Sequence, residues 1–217
     1  MLLSIRKMFK RLITFIIALL ILVLLCGIIV TTFFPLGFSS HIVKYSEEYN
    51  LDPYLVAAVI NVESKYDKNA VSHKEARGLM QISPKTGEWA AEELEIENYS
   101  KELLFDPEIN IRIGSWYLNT LLKEFNQDIN LVLAAYNGGS GRVNKWLLDE
   151  RYCEDGVNLK VIPFKETEEY VEKVLKNYKI YKFLYKNGLN KTDDSSPVHI
   201  SIIHNIRRMI KEAIKNL

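Results

Sequence analysis

Between Leu12 and Phe34 the chain runs for 23 residues, LITFIIALLILVLLCGIIVTTFF, without a single charge. At about 1.5 Å of rise per residue, a helix of that length covers the roughly 30 Å hydrocarbon layer of a bilayer. It is apolar on every face, so it has no polar side to turn to water and belongs in lipid. Arg6, Lys7, Lys10 and Arg11 precede it, and no acidic residue occurs in the first 34 positions. The excess of cations predicts a cytoplasmic segment 1–11, a transmembrane helix 12–34 and an extracytoplasmic remainder. A cleaved leader is the competing reading, but the run exceeds a usual leader core and no small-x-small site follows it. Cys26-Gly27 lies inside the run, and Leu25 stands where a lipid-attachment motif needs a small residue. The expectation is therefore a retained, single-pass anchor in the cell membrane.

Outside that segment the only cysteine is Cys153, so the exposed part contains no pair to staple and depends on a packed core. Setting aside the four N-terminal cations from the 28 Lys and Arg leaves 24 against 27 Asp and Glu. A balance near minus three points to no nucleic-acid partner. His41, His73, His199 and His204 are scattered without metal-ligand spacing and read as surface residues; no metal and no cofactor is expected. The run Asn137-Gly138-Gly139-Ser140-Gly141 is no phosphate loop: no strand precedes it and no Gly-Lys-Ser/Thr closes it.

Helix starts recur as Asp52-Pro53, Ser83-Pro84 and Asp106-Pro107, each a capping side chain directly before a proline that suits the first turn. Ile109, Ile113, Trp116, Tyr117, Leu121 and Phe125 keep helical spacing to about Asn126. A second helix runs from Ile129 to Tyr136, with Gly138 as a left-handed C-cap, and a third carries Tyr170, Val171, Val174, Leu175, Tyr178 and Tyr181. At most the stretch Val157 to Pro163 pairs briefly as strand. The fold class is all-α.

Glu63 is the conspicuous residue. Three, four and seven positions before it on the Asp52-capped helix lie Ile60, Val59 and Val56, so the acid shares the apolar stripe. A carboxyl group there loses water, its pKa rises, and it becomes a general acid suited to glycoside cleavage. Taken alone, Glu63 is also compatible with a solvated helix end, since Ser64, Lys65 and Asp67 follow.

Four strings in order carry a resemblance: Glu63-Ser64, Gly78-Leu79-Met80-Gln81-Ile82, Ala134-Ala135-Tyr136-Asn137-Gly138-Gly139, and Ile162-Pro163-Phe164-Lys165-Glu166-Thr167-Glu168-Glu169-Tyr170-Val171. Over roughly residues 41–186 the chain resembles the catalytic domain of soluble lytic transglycosylases, goose-type-lysozyme-like enzymes that cut peptidoglycan. Phe164 and Glu168 depart from it, standing where Tyr and Arg are common. The resemblance implies a lysozyme-like helical domain over 35–189 behind the membrane helix, with Glu63 as catalytic acid. Ser72, Gln81, Tyr136, Asn137, Glu166 and Tyr170 are implied to line the substrate site. For Ser72 a plain loop serine, and for Asn137 a helix cap, remain equal readings of the residues themselves. Leu79 and Met80 read as core. Gln81 offers both donor and acceptor to sugar hydroxyls, and Gly78 permits close backbone approach.

By the same resemblance, one glutamate acts twice. It protonates the leaving oxygen of the MurNAc-GlcNAc β-1,4 bond, then takes the proton of the substrate's own C6 hydroxyl, leaving a 1,6-anhydro-MurNAc end. The glycan strands of peptidoglycan are then the partner. A muramidase stays open, in which Asp67, Glu75 or Glu166 positions a water, as does a noncatalytic wall-binding scaffold within an envelope machine. Residues 190–217 read as a polar linker followed by a basic amphipathic helix, with Ile203, Ile206, Ile210 and Ile214 opposite Arg207, Arg208, Lys211 and Lys215.

Overall fold

The computed structural model describes residues 2–186 together with 188, 189, 195 and 197. Two compact units result, Met1–Pro35 and Leu36–Leu217. The first is one helix, α1 (Leu2–Phe33), of which Arg6–Phe33 is long and apolar enough to cross a membrane. It continues through the basic segment, where nothing in the sequence breaks a helix.

Among the described residues of the second unit every regular element is a helix: α2 (Ser39–Glu48), α3 (Pro53–Ser64), α4 (Pro84–Glu93), a 3-10 turn (Lys101–Phe105), α5 (Pro107–Glu124), α6 (Ile129–Gly138), α7 (Ser140–Leu147) and α8 (Lys165–Leu184). The capped starts are where the sequence puts them. Asp52 accepts from the Tyr54 N–H, Ser83 from Thr86, Asp106 from Ile109, and Asp128 from Asn130 and Leu131. Each cap satisfies amides that a helix start otherwise leaves without a partner. Of the expected pairing near Val157–Pro163, a single bridge between Cys153 and Leu159 forms. Gly138 is still helical, and it is Gly139, at φ 89°, that ends α6. The turn needs a positive φ one residue later than the pattern indicates.

α3 is the central helix. It packs against α2 and runs antiparallel along α8, while α6 packs on α8, α7 and α5. Val56, Val59 and Ile60 are completely buried, as are Leu79, Met80, Ile111, Leu133 and Val174. A ladder of polar contacts sets the α3–α8 register. Tyr54 Oη donates to the Tyr185 carbonyl (2.6 Å), Tyr178 Oη to Asp52 Oδ2 (2.6 Å) and Asn61 Nδ2 to Tyr181 Oη (2.8 Å). Lys182 also pairs with Asp52 at 3.1 Å. Hydrogen bonds are directional, and the buried Asn61–Tyr181 contact above all chooses one register where apolar packing tolerates several.

Of the 190–217 segment, only Ser195 and Pro197 are described; the expected amphipathic helix lies outside the described residues. Phe38 N–H donates to the Ser195 carbonyl (3.2 Å), and Pro197 is buried where a Cβ on Gly37 would strike its ring.

Candidate active site

The α3–α8 register that Asp52 and Asn61 establish ends at Glu63. Tyr170, one turn into α8, donates from Oη to Glu63 Oε1 at 2.7 Å. Glu63 is half-buried, with its carboxyl ringed by protein atoms and facing a cleft of about 420 Å³. Loss of water pushes its pKa from 4.5 up to about 7, against the Tyr170 hydrogen bond, which favours the ionised form and lowers it. Burial is thus the larger effect, and it brings the titration of the group close to neutral pH. Burial, with the Glu63 charge adding to it, raises the hydroxyls of Tyr170 and Tyr136 well above 10, so both stay protonated donors.

Every residue expected at the site except Tyr170 lines this cleft directly: Glu63, Ser72, Gln81, Tyr136, Asn137 and Glu166. Tyr170 stands behind Glu63 as its hydrogen-bond partner. Ser72 Oγ accepts the N–H groups of Lys74 (3.2 Å) and Ala76 (3.0 Å), which leaves its own proton to donate. Asn137 Oδ1 accepts from Thr167 Oγ1 (2.9 Å), fixing the amide with its NH2 unspent. Gln81 differs from expectation. Its Nε2 donates to the carbonyls of Ala70 (3.1 Å) and Gly78 (3.0 Å), so the amide donors hold the loop and only the carbonyl oxygen remains for a ligand. Gln81 also sits at φ 49°, a left-handed conformation that those two bonds help to hold.

The loop between α3 and α4 is anchored from below. Buried Asn110 donates from Nδ2 to the carbonyls of Arg77 (2.9 Å) and Leu104 (2.8 Å), and accepts the Met80 N–H (2.7 Å). Gly78 adopts φ 76°, and a Cβ there would strike both the Leu104 carbonyl and the Asn110 amide. This is the close approach for which only glycine serves. Tyr136 Oη donates to the Met80 carbonyl (2.9 Å) and so ties α6 to the same loop.

Tyr117, His73, Lys74, Thr86 and Arg142 also line the cleft and were not singled out in the sequence as site residues. Tyr117 looked like one more apolar position of α5, yet its ring packs on Tyr136 with centroids 5.5 Å apart. A helical stripe does not reveal which of its members border a cavity. Of the three candidates for a second carboxylate, Glu166 lines the cleft while Asp67 and Glu75 do not. Among the described residues no cluster of His, Cys, Asp and Glu could hold a metal.

A lytic transglycosylase Slt of Pseudomonas aeruginosa, solved as an inactive mutant, matches with a TM-score of 0.63 at 31% identity, over 71% of this chain and 25% of that one. The 70 kDa soluble lytic transglycosylase of Escherichia coli gives 0.62 at 31% identity, over 70% and 25%. The fold is therefore the helical, lysozyme-like fold of lytic transglycosylases. The sequence is 34% identical over 152 residues to the soluble lytic murein transglycosylase of Escherichia coli K12, covering 69% of this chain and 24% of that protein. It is 34% identical over 116 residues to the membrane-bound lytic murein transglycosylase C of Sodalis glossinidius, covering 46% and 30%. Residues 40–155 match the family model of the transglycosylase SLT domain, and the chain belongs to that family. It spans about a quarter of the length of the soluble relatives it matches.

Proposed function

We propose that the chain is a membrane-anchored lytic transglycosylase that cleaves the MurNAc-GlcNAc β-1,4 bond of peptidoglycan and leaves a 1,6-anhydro-MurNAc end. The observation that carries this reading is Glu63: a carboxyl group whose pKa burial lifts to about 7, at the wall of a polar, aromatic cleft and held by Tyr170. A group balanced near neutral pH serves equally as acid and as base. As acid, Glu63 gives its proton to the bridging oxygen while the bond from that oxygen to C1 of MurNAc breaks. As base, the resulting carboxylate takes the proton of the C6 hydroxyl, whose oxygen closes on C1. Glu63 ends protonated as it began, and no water is consumed.

The remaining groups bind and orient. The Ser72 hydroxyl donates to the acetamido carbonyl beside the breaking bond, and the Asn137 NH2 and Gln81 carbonyl take sugar polar groups. Tyr136 and Tyr117 offer ring faces. The membrane-bound relatives and the apolar α1 support anchorage. The cations in the first turns of α1, ahead of its apolar run, support a cytoplasmic N-terminus with the 35–189 domain outside, acting on wall near the bilayer.

The test is mass spectrometry of fragments released from purified peptidoglycan by the chain in detergent micelles, with Glu63→Gln as control. Ends lighter by one water, absent in the control, are expected. Reducing ends would overturn the transglycosylase reading in favour of a muramidase in which Glu166 positions water. No product from wild type, with glycan still bound, would favour the scaffold.

A further inference from the structure

Lys74 and Arg142 line the same cleft as Glu63. The sugar rings of a glycan strand are neutral, and their polar groups match the hydroxyl, amide and aromatic groups already described. Both cations are exposed at the cleft wall and neither side chain belongs to any ion pair among the described residues, which leaves them available to an anion entering with the strand. The Arg142 guanidinium lies 5.3 Å from the centroid of the Phe164 ring, and that ring stacks on Trp146 at 5.6 Å. Stacking occupies the face of the guanidinium and leaves its edge of N–H donors, the fork that matches a carboxylate. The Lys74 backbone N–H donates to the Ser72 hydroxyl oxygen, which ties Lys74 to a second residue of the cleft lining. Among the described residues only Glu63 and Glu166 supply negative charge to the cleft lining. Glu63 keeps much of its proton at neutral pH.

We infer that Lys74 and Arg142 bind the free carboxylates of the peptide stems carried on MurNAc, so that the cleft selects glycan whose stems are charged. This rests on the proposed action on peptidoglycan. It assigns a specificity role to two cations that the single-glutamate chemistry does not use.

The test measures binding in the Glu63→Gln background, so that cleavage plays no part, using the full chain in detergent micelles. The probes are fluorescently labelled, stem-bearing glycan strands, either untreated or with their stem carboxylates converted to amides by carbodiimide coupling. The untreated strands should bind about ten-fold more tightly, as expected for charge-assisted hydrogen bonds to two cations. That preference should fall at least several-fold on Lys74→Gln plus Arg142→Gln, be partly kept by Arg142→Lys, and fade in about 1 M salt. A preference that survives the double substitution, or an equal loss of affinity for both probes, overturns the inference; the second result would mark a purely structural role. Each single substitution should give part of the loss, so the outcome does not depend on the double variant folding. Charge-selective binding without anhydro products from wild type would sink the proposed reaction and leave this inference standing. Anhydro products without charge selectivity would do the reverse.

Discussion

Glu63→Gln should stabilise the domain, and by an amount that depends on pH in a calculable way. In the unfolded chain Glu63 titrates near 4.5, in the folded one near 7, because burial disfavours its charge. Between those values the folded state holds a proton that the unfolded state has released, so folding loses stability as pH rises. At about 1.4 kcal/mol per ten-fold change in protonation, the gap amounts to about 3 kcal/mol. The loss is absent below pH 4, grows through the window from 4.5 to 7, and is complete by about pH 8. A glutamine at this position carries no charge and escapes it. For a domain of this size 1 kcal/mol corresponds to roughly 2–4 °C. The melting temperature of Glu63→Gln minus that of wild type should therefore rise by about 6–12 °C between pH 4 and pH 8. Near-UV circular dichroism of the detergent-solubilised chain follows tertiary packing of the aromatic-rich domain and reads the difference directly. Any fixed effect of the substitution, such as a weaker bond from Tyr170, shifts both ends alike and leaves the pH-dependent part intact. A difference that stays flat from pH 4 to 8 would show that Glu63 titrates like an exposed carboxylate, and the acid-base proposal would lose its physical basis.

Two further outcomes follow from the same geometry. Tyr170→Phe removes the bond that favours ionised Glu63, so the pKa should climb above 7. The alkaline limb of the pH–rate profile for muropeptide release should move up by about one pH unit, and an unmoved limb would mean that Tyr170 does not hold the acid during reaction. Gly78→Ala forces a side chain at φ 76° into the Leu104 carbonyl and the Asn110 amide. It should cost about 3 kcal/mol or more in urea unfolding; a cost under about 1 kcal/mol would refute the rigid-loop account.

Much of the helical frame was legible because its signals are local. Asp52-Pro53, Ser83-Pro84 and Asp106-Pro107 each combine a side-chain acceptor with a residue that lacks an amide to satisfy, and all three open helices. The apolar run through Val56, Val59 and Ile60 marked α3 as a core helix, although Leu55 to Asn61 are buried on every side and not along one stripe. The 3-10 turn at Lys101–Phe105 was not foreseen, since five residues show no helical period. The engagement of both Gln81 donors is not legible locally because their partners, the carbonyls of Ala70 and Gly78, meet them only when the loop folds back. Arg142 sits in a glycine-rich stretch with no local mark of a site, and Phe164, the ring it stacks on, comes from a different part of the chain.

By itself, the sequence determined the apolar span, the capped helices, and the position of one acid on an apolar face, because these depend on neighbours within a few residues. Only the tertiary structure decided the chemistry available to that acid. The pKa of Glu63 depends on how much water the packed loop and α6 remove, and on a hydroxyl 107 positions away in sequence and 2.7 Å away in space. Electrostatic environment is set by distance and dielectric rather than by chain order, so no local pattern encodes it.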